Sequence, residues 1–135
     1  MKSGLLVCPG LYAIACCLPA LERRQDHAGP DIMLGLRALA VGWSGIFAGV
    51  TAWYANPVWL VGLGLAAFRR TNLAFAAGVV ALLIGLTVFR DLGRELPADE
   101  GNVTKTAIVR VLPGAYVWFA SLAALPVAAW LQRGR

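Results

Sequence analysis

Ala38–Phe68, reading ALAVGWSGIFAGVTAWYANPVWLVGLGLAAF, carries no charged residue. A straight helix crosses the hydrocarbon core of a bilayer in about 20 residues, so this stretch exceeds one crossing and falls short of two. Leu39, Trp43, Ile46, Phe47, Val50, Trp53 and Tyr54 recur within it at helical spacing as one bulky stripe. Ala38, Gly42, Gly45, Gly49 and Ala52 form an opposed small-residue stripe containing Gly45-x-x-x-Gly49, a pattern that lets helix backbones approach closely in membranes. Asn56-Pro57 then joins a good N-cap to a residue favoured in the first helical turn, and marks a helix start or a kink.

Outward from this stretch, apolar runs fill Leu5–Leu21, Leu73–Phe89 and Val111–Leu131. Two arrangements fit. In one, Val50–Phe68 spans with a kink at Pro57 while Ile32–Ala48 lies at the interface or re-enters. In the other, Arg37–Ala55 spans and Val58–Thr71 returns, but that return covers only about 21 Å of a core roughly 30 Å thick. The length argument favours the first. The expected fold is therefore all-α: a single transmembrane domain over 1–135 with four spans (5–21, 50–68, 73–89, 111–131), an interfacial or re-entrant helix over 32–48, and a polar loop over 90–106. Five spans is the alternative.

Composition points the same way. The chain is 59% hydrophobic and 14% charged with mean hydropathy +0.70, against about 25% charged residues in soluble domains. The net charge of +5 comes from Lys and Arg at the ends of apolar runs, a membrane-flanking pattern that argues against nucleic acid. Arg69-Arg70 forms a tight acid-free turn and favours N-in/C-in. Ala13-Ile14-Ala15 before Cys16 loosely fits a cleavage site. Pro9-Gly10 interrupts its apolar core, however, so Leu5–Leu21 is expected as a retained span.

The chemistry-bearing residues are few. Cys8, Cys16 and Cys17 read as small apolar packing residues, and the lone histidine, His27, lies in a loop. No phosphate loop, H-E-x-x-H, G-x-S-x-G or Cys/His metal spacing occurs, so no enzyme activity, cofactor or metal is expected. Asp99-Glu100-Gly101-Asn102 lacks the ligand spacing of a calcium loop, and Asn102-Val103-Thr104 matches a glycosylation sequon. The candidate functional or packing residues are Asn56, Pro57, Trp53, Tyr54, Gly45 and Gly49. Asn56 can either cap a helix or hydrogen-bond between helices beside the Pro57 break. Trp53, Tyr54, Trp59, Tyr116 and Trp118 read as an aromatic interfacial belt.

Trp53-Tyr54-Ala55-Asn56-Pro57, Arg69-Arg70 and Pro113–Ser121 resemble segments of small four-span bacterial inner-membrane proteins of no known function. The resemblance covers about the last two-thirds of the chain. It implies a bacterial inner membrane and four spans, and carries over no site residue. The expected function is a non-enzymatic accessory, assembly or partner-binding component. Its partners would be the lipid bilayer and a second copy or another membrane protein. The alternative is a small oligomeric channel or carrier using the Asn56-Pro57 break.

Overall fold

The computed structural model describes residues 3–98, 101 and 103–134. Among these, the chain forms five α-helices and a four-stranded antiparallel sheet. The elements are α1 (Ser3–Cys17), β1 (Pro19–Gln25), β2 (Gly29–Leu34), α2 (Gly35–Val41), α3 (Ala55–Ala67), α4 (Thr71–Leu86), β3 (Glu95–Pro97), β4 (Lys105–Val111) and α5 (Pro113–Arg133). Two 3-10 segments, Gly42–Ala48 and Ala52–Tyr54, join α2 to α3, and a third, Thr87–Phe89, extends α4.

The sheet runs in the order β2-β1-β4-β3. β1 and β2 form a hairpin around Asp26–Ala28, closed by Gly29 at φ 74°, a left-handed conformation that glycine adopts without steric penalty. Pro30 and Pro97 lie on the two edge strands, where a missing N–H costs no ladder bond. Charged residues pair across the ladders: Arg23 opposite Asp31 at 2.7 Å, Arg110 opposite Glu22 at 2.8 Å, and Lys105 diagonally with Glu95 at 3.1 Å. The β1–β4 pairing joins residues 21–25 to 106–111, and Leu112 N–H donates to the Ala20 carbonyl at 2.9 Å. Because α1 precedes β1 and α5 follows β4, that pairing delivers the two helices side by side.

The helices then pack α3 on α4, α4 on α5 and α5 on α1. Leu5, Cys8, Tyr12 and Ala15 recur at helical spacing along the inner stripe of α1. Ala74, Gly78, Ala81 and Gly85 form the buried face of α4. Trp59, Leu122 and Leu125 fill the centre, with the Trp59 indole donating to the Ser121 carbonyl at 3.1 Å and Tyr12 stacked on its ring at 4.7 Å. A smaller cluster of Ala52, Val88 and Ile108 ties the α4 end to the sheet.

This architecture corrects the sequence-based expectation at several points. The fold is mixed α/β, with a sheet packed on the helices, and not an all-α four-span helical bundle. Residues 19–34, read as span end, loop and the start of the 32–48 helix, form a hairpin; the rest of that expected helix is α2 followed by a 3-10 segment, and the polar loop 90–106 holds β3 and the first residues of β4. Among the described residues, two helices, Thr71–Phe89 and Pro113–Arg133, are long and apolar enough to cross a membrane. At 15 and 13 residues, α1 and α3 extend only about 20–23 Å, short of the roughly 30 Å core. Two such helices beside a sheet overturn the multi-pass inner-membrane placement and the resemblance to four-span bacterial proteins. They equally overturn the five-span alternative. The accessory-subunit and oligomeric-channel readings, with the lipid bilayer and a second copy as partners, fall with the bundle they assumed. Met1, Lys2, Asp99, Glu100, Asn102 and Arg135 lie outside the described residues, and with them the cation-loop and sequon readings.

Candidate functional site

Where the sheet, the Gly35–Ala48 segment and the ends of α1, α3 and α5 converge, they enclose a cleft of about 500 Å³. Its deep part is built around Asn56, which is 6% exposed at the second position of α3. Asn56 Oδ1 accepts from Tyr12 Oη at 2.9 Å and from Trp118 Nε1 at 2.8 Å, while Nδ2 donates to the Trp53 carbonyl at 2.8 Å. One amide thus joins α1, α3 and α5, and burial costs it little because its bonds are made. Pro57 follows in the first turn, exposed, where its missing N–H breaks no helical bond.

Trp53 forms a wall. Its indole donates to the Leu39 carbonyl at 2.8 Å and its ring meets Tyr54 edge-on at 5.3 Å. The ring lies so close to Gly42 that any β-carbon there would overlap it. Tyr54 donates to the Trp43 carbonyl at 3.2 Å, outside the cleft lining. Gly45 lines the cleft beside Val50, which sits 3.2 Å from where a β-carbon would stand. Gly49 ends the 3-10 segment at φ 76°, and its carbonyl accepts from the Arg90 guanidinium at 3.2 Å. The six sequence-nominated residues therefore divide. Asn56, Trp53 and Gly45 meet at one cleft, whereas Pro57, Tyr54 and Gly49 shape the chain around it.

The exposed end carries the charges. Asp31 Oδ2 accepts from Arg23 at 2.7 Å, and both Asp31 oxygens lie 3.4 Å from Arg37 Nη1. The Arg23 hydrogen bond, reinforced by Arg37, holds the Asp31 carboxyl below the usual carboxylate range. Arg23 Nε is buried and has no hydrogen-bond partner among the described residues. Burial pushes the Tyr12 hydroxyl up to about 12 and, with Cys17 adjacent, raises the Cys16 thiol, so both stay protonated at neutral pH. His27 sits exposed in the hairpin turn, away from the cleft. Among the described residues no three His, Cys, Asp or Glu side chains cluster as metal ligands.

Sequence reasoning nominated none of Tyr12, Arg23, Asp31 and Arg37 as site residues, because only tertiary contact distinguishes them from span and loop residues. It also grouped Trp118 and Trp59 into an interfacial belt. Trp59 is instead 2% exposed in the core, and Trp118 holds Asn56. No family model, curated protein or solved structure matches this chain.

Proposed function

We propose that the protein is a non-enzymatic binding protein whose cleft takes one small amphipathic molecule, an apolar body with a hydrogen-bonding head. The observation that carries this reading is the Tyr12–Asn56–Trp118 network, whose satisfied bonds fix the aromatic wall of a mostly apolar cleft. Its volume, about 500 Å³, falls in the range of small-molecule sites, roughly 300–1,000 Å³. Catalysis finds less support. Asp31 is committed to two arginines, Tyr12 and Cys16 hold their protons, and acid–base chemistry needs a group poised near working pH.

Trp53 and Trp118 line the cleft and report on its occupancy through indole fluorescence. Titration with octanamide, a neutral eight-carbon amphiphile, is expected to give a saturable change. Ala38→Phe, which fills the lining beside Leu39, is expected to abolish that change while leaving thermal unfolding close to wild type. A non-saturable response, or one that Ala38→Phe leaves intact, refutes the reading.

A further inference from the structure

The charged end of the cleft has an imbalance that the neutral reading leaves unused. Arg23 and Arg37 both line it, and one carboxylate, Asp31, stands between them. Among the described residues that line the cleft, two cations stand against one anion. The Arg23 guanidinium spends an Nη on Asp31 at 2.7 Å, yet its Nε–H is buried and has no acceptor among the described residues. A buried donor without an acceptor is unfavourable, and it is relieved by whatever brings an acceptor to it. Arg37 lies 3.4 Å from Asp31 at both oxygens, a long contact, and its side chain is 56% exposed, so it can turn its remaining donors to a second anion. Guanidinium groups pair with carboxylates through two parallel N–H donors, and such charge-assisted bonds are about twice as strong as neutral ones. Among the described residues, the rest of the lining carries no charged group and includes Met33, Ala20, Ile108, Trp53 and Trp118.

Resting on the binding reading above, we infer that the cleft is built for a monoanionic amphiphile: a carboxylate head seated on Arg23 and Arg37, with an apolar tail directed toward Trp53 and Trp118. Asp31 then has two roles. It holds the two guanidiniums at one place, and it competes with the ligand for them.

The test compares octanoate with octanamide, which share shape and differ in charge, on the full chain by indole fluorescence. Octanoate is expected to bind about tenfold more tightly, as befits charge-assisted over neutral hydrogen bonds. Arg37→Gln is expected to bring the octanoate and octanamide affinities together. Because Arg37 is exposed, this variant does not depend on the sheet pairing that Arg23→Gln would disturb. Asp31→Asn is expected to tighten octanoate severalfold, whereas a purely structural Asp31 would make that variant bind more weakly. Equal affinities for the two probes, or a preference that survives Arg37→Gln, overturns the anion assignment and leaves the binding reading standing. A non-saturable response to octanamide refutes the binding reading itself, and the inference with it.

Discussion

Gly78 and Gly64 should respond to the same substitution with opposite signs. A β-carbon at Gly78 would stand 2.6 Å from Pro126 Cδ and 2.9 Å from Pro126 N. The first distance is about 0.9 Å inside the roughly 3.5 Å at which carbon atoms pack best. A proline ring fused to the α5 backbone cannot rotate away, so α4 and α5 must separate. Replacing glycine by alanine in a helix interior gains about 1 kcal/mol of propensity, while overpacking of a tight contact costs about 1–3 kcal/mol. With backbone as the obstacle the cost sits at the upper end, and Gly78→Ala should destabilise by about 1–2 kcal/mol. A β-carbon at Gly64, in α3, meets nothing within 4 Å. Gly64→Ala should therefore keep most of the propensity gain and stabilise by about 0.5–1 kcal/mol. For a chain of this size each kcal/mol moves the melting temperature by roughly 3–5 °C, which separates the two variants by an amount thermal unfolding followed by circular dichroism resolves. If Gly78→Ala is as stable as wild type, or Gly64→Ala loses as much as Gly78→Ala, the α4–α5 contact has been read wrongly.

Asn56→Ala removes the acceptor shared by Tyr12 and Trp118 and should cost about 2–3 kcal/mol in denaturant unfolding, with octanamide binding weakened as well. Gly49→Ala places a β-carbon on a residue at φ 76° and should cost about 1–2 kcal/mol; a neutral result would mean the Gly42–Ala48 segment ends differently. The Asp31 carboxyl titrates lower in the fold than in the unfolded chain, so its contribution is complete above the ordinary pKa of about 3.9 and is lost as pH falls through the folded value. The melting temperatures of wild type and Asp31→Asn should therefore differ at pH 6 and converge in strong acid. A difference that grows toward low pH would contradict the Arg23–Asp31 pairing.

The helical parts of this fold can be read locally, because helical hydrogen bonds and apolar stripes close within a few residues. Residues 73–89 show this: their small face of Ala74, Gly78, Ala81 and Gly85 is visible as a spacing before any partner is known, and the structure buries all four. Asn56-Pro57, readable as a helix start or as a kink, falls in the first turn of α3, but the N-cap is Tyr54 and the Asn56 side chain bonds Tyr12 and Trp118 instead of capping. Strands carry no such local closure. Residues 19–25 hold Glu22, Arg23 and Arg24, and read alone they are a solvated flank; they become β1 only when residues 105–111, more than 80 positions later, supply the matching ladder and the opposing Arg110. The Ala107–Val111 run had the β-branched content of a strand, but its partner was beyond any window in which periodicity is measured. Only the tertiary structure could gather Tyr12, Asn56 and Trp118 around one amide and set Arg23 and Arg37 about Asp31, since those contacts join separate helices, or helix to strand, through chain folding and through no spacing along it. The small-residue face of α4 was determined by sequence; the cleft was decided by the β1–β4 pairing that brings α1 and α5 together.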